Sequence, residues 1–495
     1  MNTADYLLQQ GEDQNVVFLN KREKFTYQDL KEACSRLMGE LLNNGVQSGD
    51  RVGILGENSM FWAASYLAIL KLGAIAVPFP TVSTPDDFRR KAHFVQCNTL
   101  FVERRARRKF SSAIDENYRL IQDDVLKLDG PSSWETIQDD FDLDQDAALM
   151  LTSGTTAQPR AVRITHRNIQ ANTNSIIEYL SLDGSERMLV VLPFYYCFGT
   201  SLLHTHLRVG GSLALCNTFA YPETALDMIE STRATGFAGV PSTYQTLLRN
   251  TSFPRREFQS LRKVQQAGGK LPVVFIKELI EALPKARIFV MYGQTEATAR
   301  LSYLPPDLLP EKIGSIGCGI PGVKLQVMDD DDQPVKIGEV GEIVASGDNI
   351  SPGYYKDPQS TAEKFVNGQL LTGDLAKVDE QGFIYIVDRK SDFIKSLGHR
   401  VSSQEVEAKI LQLPEVVSAA AIGIPDELQG EAIRVFVTLQ AKTSLSAEKI
   451  IEYCRKNMAR HMVPKEVIII DRLPLNAHGK VVKSRLRNWE ETELA

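Results

Sequence analysis

The chain has 495 residues, 43% of them hydrophobic and 24% charged, with a formal net charge of -6. That length allows about two to four folding units, and the acidic balance argues against a nucleic-acid binder, which shows a basic domain. The six cysteines are scattered, with no C-x-x-C pair. This spacing excludes a disulfide framework or clustered zinc site and reads as reduced thiols in a cytoplasmic protein.

In chain order, the opening "MNTADYLLQQGEDQN" has no basic segment followed by an apolar one, so no signal peptide is expected. "DRVGILG" reads as a strand, "SMFWAASYLAILKLG" as a helix ending on Gly73, and "AIAVPF" as a strand. The apolar run from Phe61 is broken by Lys71, Gly73 and Pro78. A membrane span wants about 20 uninterrupted apolar residues, so a buried helix leading into a strand is expected instead. "RRARRK", Arg104 to Lys109, reads as a solvated surface turn. "LTSGTTAQPR" from Leu151 is a run of hydroxyls around Gly154, followed by the helical "RNIQANTNSIIEYL". His204 and His206 in "LLHTHL" share a face of a strand but not of a helix, and with no third ligand they read as structural. "SLALCN", "GFAGV", "KVQQAG" and "RIFVMYG" are short strands, alternating with helices such as "YPETALDMIESTRATG" and "LPVVFIKELIEALP". Such alternation predicts an α/β fold with a mainly parallel, covered sheet. Ligands of such sheets sit beyond the carboxyl ends of the strands.

Near Ile313 the pattern becomes that of a β-meander. The aspartates Asp329 to Asp332 lack the spacing of a calcium loop and read as an exposed hairpin turn. "DRKSDFIKSLGHR" is polar and reads as a linker. Beyond it, helix "SSQEVEAKILQL" (capped at Ser402 or Ser403), strands "EVVSAAAIGIP" and "AIRVFVTLQ", helix "SAEKIIEYCRKNM" and strand "EVIIID" form a small α+β unit. The expected division is a large domain over 1–388, a hinge over 389–392 and a small domain over 393–495.

Four stretches carry chemistry. Backbone and hydroxyl donors around Gly154 suit a phosphate, although no Walker motif occurs in the chain. "MYGQTEAT" puts Tyr292, Thr295 and Glu296 on a loop at a strand's carboxyl end, where a carboxylate can hold Mg²⁺ together with substrate phosphates. Asp374, after Gly373, can accept both hydroxyls of a ribose, and Arg389 can meet a ribose or phosphate oxygen. Lys480 follows Gly479 on a loop of the small unit.

In order and spacing, from "FTYQDL" near Phe25 to "GKVVKSRLR", these stretches resemble the adenylate-forming superfamily of acyl-CoA synthetases, nonribosomal-peptide adenylation domains and firefly luciferase. The resemblance implies a large N-terminal domain of mixed αβ layers and a small mobile C-terminal domain. It also implies a reaction: a carboxylate attacks the α-phosphate of ATP, pyrophosphate leaves, and the acyl-AMP passes to the thiol of CoA or of a carrier-protein phosphopantetheine. Thr152, Ser153, Gly154, Thr155 and Thr156 would wrap the phosphates with Arg160, and Glu296 with Thr155 would hold Mg²⁺. Gly269 and Tyr292 would flank the adenine, Gly293 and Thr295 would complete that nucleotide loop, and Asp374 and Arg389 would hold the ribose. Lys480 would bridge the incoming carboxylate and the α-phosphate. Ser391 would be the pivot that brings Gly398 and His399 to the thiol tunnel.

In "LPFYYCFG" the resemblance makes Tyr196 the gate to that tunnel, and Phe194, Tyr195, Phe198, Gly199 and Gly239 walls of the acyl pocket. Amino-acid-activating relatives carry an aspartate in this region, absent here, so a fatty or aromatic acid without an α-amine is expected. Arg300 is expected to make a structural ion pair, with contact to an acidic substrate tail as the alternative. The phosphate loop departs from the family at Ala157 and Arg160, where glycine and lysine are usual. A non-catalytic binding relative and a luciferase-like oxidation of the acyl-AMP are the competing readings.

Overall fold

A computed structural model describes residues 1–127, 134, 141–152, 159–389, 392–426, 429–441, 443–476 and 479–489. Its organisation follows from helix Met60–Leu72, which is apolar on every side and buries every residue except Leu72. A helix without a polar face has to be covered all round. Ser59 caps its start by accepting the Trp62 N–H, and Gly73, at φ 75°, ends it. One hydrophobic cluster packs this helix with Tyr27–Asn43, His166–Leu180 and Cys197–Arg208, and draws Phe18, Val190 and Leu213 from one sheet and Val52, Ile54 and Ala76 from another.

The first of these sheets has nine strands, running Cys318–Gly319, Ser302–Leu304, Arg287–Tyr292, Lys263–Gln266, Gly236–Gly239, Arg187–Val190, Ser212–Leu215, Val16–Leu19 and Lys24–Thr26. The six strands from Arg287–Tyr292 to Val16–Leu19 are parallel to one another, and the edge strands beyond them are antiparallel. The second sheet has six strands, with Asp146–Thr152 pairing antiparallel to Arg160–Thr165 at one edge. The expected meander is an antiparallel sheet of Lys324–Met328, Gly341–Ser346, Gln369–Val378 and Ile384–Arg389. Asp329 turns its first hairpin by accepting the Asp331 and Gln333 N–H groups. The small unit pairs Val416–Asp426 with Gly430–Leu439, adds Glu466–Ile469 in parallel, and starts helix Ser403–Ile410 on a Ser402 cap.

Two expectations are corrected. "DRKSDFIKSLGHR" is mostly not a linker: Phe393–Ser396 pairs with His399–Ser402. Leu397 at φ 51° and Gly398 at φ 77° make the two-residue turn, the geometry that matches strand twist in tight hairpins, and Ile394 is buried. Arg104–Lys109 is a short helix rather than a turn, and it buries no residue. His204 and His206 are buried on a helix as structural groups. His204 Nε2 lies 3.0 Å from the Tyr66 hydroxyl, and His206 Nδ1 lies 2.9 Å from the Leu202 carbonyl. No described helix is long and apolar enough to cross a membrane.

Lys71, which breaks the apolar run in the sequence, is buried against Asp5, with Nζ 2.6 and 2.7 Å from its two carboxylate oxygens. The pair ties helix Thr3–Leu8, whose six residues are all buried, to Met60–Leu72. Asp5→Ala strands the buried ammonium and is expected to destabilise the fold by about 3–5 kcal/mol, read as a lowered urea midpoint. Asp86→Ala, which breaks an exposed pair with Arg89, is expected to cost less than about 1 kcal/mol.

Candidate active site

The densest polar cluster is set by strand register. Gln369–Val378 and Ile384–Arg389 run antiparallel with Asp374 directly opposite Arg389. Arg389 Nε donates to Asp374 Oδ1 at 3.1 Å, and the Tyr292 hydroxyl donates to Oδ2 at 2.6 Å. Asp374 is buried. Its charge holds the Arg389 guanidinium above its ordinary range. Burial first, then the Asp374 charge, push the Tyr292 phenol far up, so it stays a donor. Tyr292 ends a parallel strand of the nine-stranded sheet, so the cluster lies beyond carboxyl ends, as such sheets favour.

Past Tyr292 the chain folds back sharply. A Cβ on Gly293 would stand 1.9 Å from the Ala299 carbonyl oxygen, so only glycine fits. Thr298 takes φ 66° and donates its hydroxyl to the Asn349 carbonyl at 2.8 Å. Non-glycine residues in such conformations cluster at functional loops. Glu296, half-buried in the turn Thr295–Ala297, accepts a hydrogen bond from the Tyr354 hydroxyl at 2.8 Å. Among the described residues no group of three or more acidic, histidine or cysteine side chains could cage a metal. A site for Mg²⁺ needs only one or two carboxylates with substrate phosphates, and Glu296 fits that need.

Arg160 sits beside this carboxylate but has partners of its own. Its guanidinium lies 4.7 Å above the Tyr354 ring, donates to Ser360 Oγ at 3.1 Å and approaches Asp357 at 3.7 Å. The structure therefore gives Arg160 a place in the wall behind Tyr354. Thr152 ends its strand opposite Arg160, while Ser153, Gly154, Thr155, Thr156 and Ala157 lie outside the described residues, as does Ser391.

Lys480 reaches the cluster from the small unit. Its turn is held by the Asn476 side chain, which accepts the Lys480 N–H at 3.0 Å, and by the Gly479 carbonyl, which accepts from Ser242 Oγ of the large unit at 3.0 Å. Burial first, then the Arg389 charge, hold the Lys480 ammonium below the ordinary lysine range, opposed by Cys197, Asp374 and Glu296. The two units also meet at Arg249. It donates to the Leu411 and Leu413 carbonyls at 3.0 Å each and to the Val416 carbonyl, and pairs with Glu278 at 2.8 Å. Gly398 and His399 are exposed in their hairpin turn, with the His399 ring stacked on His461 at 4.0 Å.

On the expected acyl side, the aromatic run divides. Phe194 is core: its ring lies 5.3 Å from Trp62, and its N–H and carbonyl bond Asn58 and Thr200. Tyr195 turns toward Thr81, and burial pushes its phenol up to about 12. Both residues lie in the turn that leads from strand Arg187–Val190 into helix Cys197–Arg208. Tyr196 precedes helix Cys197–Arg208 and is buried. A Cβ on Gly268 would stand 3.2 Å from its hydroxyl, so Gly268 leaves space for that ring. The neighbouring Gly269 accepts the Gln266 side-chain N–H at 2.8 Å. Gly199 lies in the first turn of the helix, and Gly239 ends its strand.

A cavity of about 20 Å³ lies alongside, lined by Cys197, Thr200, Ser201, His204, Asn172, Thr298 and Ala299 among others. None of the five expected wall residues lines it. Thr295 Oγ1 lies 3.6 Å from the Cys197 sulfur. Arg300 makes no ion pair among the described residues, against expectation; its guanidinium stacks 3.9 Å from the Phe198 ring. Asp374→Ala removes the acceptor shared by Tyr292 and Arg389. It is expected to weaken AMP binding about ten- to a hundredfold, the scale of hydrogen bonds to a charged group, as measured by calorimetry.

Comparison with known proteins identifies the family. The AMP-binding enzyme family matches residues 6–355, and the AMP-binding enzyme C-terminal domain matches residues 405–480. A feruloyl-CoA synthase from Amycolatopsis sp is 31% identical over 466 residues, covering 93% of each chain. The putative acyl-CoA synthetase YngI of Bacillus subtilis is 28% identical over 514 residues, covering 95% of this chain and 93% of that protein. The solved structure of o-succinylbenzoate CoA synthetase (MenE) from Bacillus subtilis, in complex with its acyl-adenylate intermediate, is 27% identical. It covers 98% of each chain with a TM-score of 0.87. The same enzyme in complex with ATP and magnesium ion matches with a TM-score of 0.85. The chain belongs to the AMP-binding enzyme family and is an AMP-forming acid:thiol ligase of the acyl-CoA synthetase kind.

Proposed function

We propose that this chain converts a carboxylic acid without an α-amino group, fatty or aromatic, to its CoA thioester by way of an acyl-AMP. The observation that carries the reading is Lys480: a lysine of the small unit lies partly buried in the field of Arg389, Asp374 and Glu296 of the large one. In the first step a carboxylate oxygen bonds to the α-phosphorus of ATP, the bond to the bridging oxygen breaks, and pyrophosphate leaves with that electron pair. Two anions meet in this step, so fixed positive charge and oriented donors at the developing charge lower the barrier. Lys480 supplies such a charge between the carboxylate and the α-phosphate. Asp374 and Arg389 hold the ribose, Tyr292 and Gly269 flank the adenine, and the loop from Thr152 to Thr156 wraps the β- and γ-phosphates. Gly293 and Thr295 shape the turn that presents Glu296 to Mg²⁺, which when bound neutralises phosphate charge, with Thr155 as second ligand.

In the second step a thiol sulfur bonds to the acyl carbonyl carbon and AMP leaves. Tyr196 gates the approach. We divide the chain into 1–388, a hinge at 389–392 around Ser391, and 393–495, whose rotation brings Gly398 and His399 to the thiol. CoA is the acceptor favoured by the relatives, and an acyl or peptidyl carrier protein is the alternative. The absence of paired cysteines among the described residues supports a cytoplasmic location.

Lys480→Ala is expected to lower acid-dependent ATP–pyrophosphate exchange at least about a hundredfold, the scale of losing one preorganised transition-state donor, while sparing thioester formation from supplied acyl-AMP. Equal loss of both half-reactions contradicts the role. Because burial and Arg389 lower the Lys480 pKa from 10.5, its charge is complete below that lowered value and is lost as pH rises through it. The exchange rate should therefore fall on an alkaline limb below 10.5. Lys480→Arg, which stays charged, should move that limb upward in a pH–rate profile.

A further inference from the structure

Arg300 is one of the largest fully buried side chains of the chain, at 1% exposure. Burying an unpaired guanidinium is costly, and elsewhere this protein avoids it. Lys71 is paired with Asp5, Lys263 with Glu186, and Arg249 with Glu278 and three carbonyls. Arg300 has no such carboxylate among the described residues, and its Nε and Nη2 are buried with no acceptor. These two nitrogens form one edge of the guanidinium plane, the edge that meets both oxygens of a carboxylate in a side-on bidentate pair.

The backbone that carries this side chain is fixed in place. Asn172 accepts the Arg300 N–H at 3.3 Å and donates to its carbonyl at 3.0 Å, and Asn349 donates to the same carbonyl at 2.9 Å. The Phe198 ring backs the guanidinium at 3.9 Å. Tyr179, which hydrogen-bonds the guanidinium, Tyr196 and Cys197 lie in its electrostatic field, and burial keeps each of the three in its neutral form, so they add no negative charge. The two residues before Arg300 in the chain, Thr298 and Ala299, line the cavity beside Cys197 and Ser201.

We infer that Arg300 receives a second carboxylate on the acid that this enzyme activates, so that its substrates are dicarboxylic acids with one carboxylate adenylated and the other bound to the free edge of this guanidinium. The inference rests on the adenylation reading above and narrows it. It also explains why a pocket without an acidic side chain keeps a buried cation: the charge matches the substrate's distal end, and a plain fatty or aryl acid would leave it unpaired.

The test compares straight-chain dicarboxylic acids of three to nine carbons, and phthalic acid, with their own monomethyl esters, which keep the shape and remove one charge. With wild-type enzyme, ATP–pyrophosphate exchange is expected to show kcat/KM at least tenfold higher for a diacid than for its ester. Arg300→Met, which keeps an unbranched side chain and removes the charge, should erase or reverse that ratio while leaving the KM for ATP unchanged. Arg300→Lys should restore part of it. Thermal melts of both variants check that they fold, and the wild-type ratio needs no variant. Esters or monocarboxylic acids that match or exceed the diacids in wild-type enzyme overturn this inference and leave adenylation standing. Exchange with none of the acids overturns the adenylation reading and this one with it.

Discussion

One buried carboxylate, Asp374, holds the active-site architecture together. It accepts from Tyr292, which ends a strand of the nine-stranded sheet, and from Arg389, which ends the meander just before the small unit. Buried negative charge is tolerable only when it is paired and hydrogen-bonded, so these two donors are obligatory rather than decorative. Through them, one point of the meander is referenced both to the main sheet and to the chain that leads into the small unit. The position of Lys480 relative to Glu296 and Asp374 depends on that reference.

The layers around this point follow from burial. A helix apolar on all sides forces two sheets and several helices to close over it, and the crossovers leave strand ends free on one rim. The loops at that rim are short and sharply folded. Gly293, whose backbone runs against Ala299, and Thr298, in a left-handed conformation, bend Glu296 back toward Tyr354. Arg160, behind Tyr354, takes its neighbours from the Asp357 turn and so backs the wall of the site.

Much of this was legible in the sequence, because the parallel strands are short apolar runs bounded by glycine, proline or asparagine, and the chemistry-bearing residues follow them directly. The hairpin Phe393–Ser402 was not legible, since only Ile394, Val401 and a glycine turn mark it among charged residues that face solvent. The aromatic run was half legible. Composition announces a ring-rich wall, but which ring faces the cavity depends on where the helix begins, at Cys197. Glycine at 268, beside the Tyr196 hydroxyl, could have been suspected from the doubled Gly268–Gly269 pair. Arg300 was singled out in the sequence, but its lack of an ion-pair partner among the described residues was not legible there, because that is a property of the packed interior and not of any stretch of chain.

The contact made by Arg249 has a consequence for how the two units exchange partners. Arg249 donates to the carbonyl of Leu411, which caps helix Ser403–Ile410, and to those of Leu413, in the turn that follows, and Val416, which starts the next strand. On its own side of the contact Arg249 has Glu278, so the large unit balances this charge without the small one. The contact is therefore directional, and each of its hydrogen bonds, made by a charged donor, is worth about 1.5–3 kcal/mol. Its asymmetry keeps the charge balance inside the large unit and asks only neutral groups of the small one.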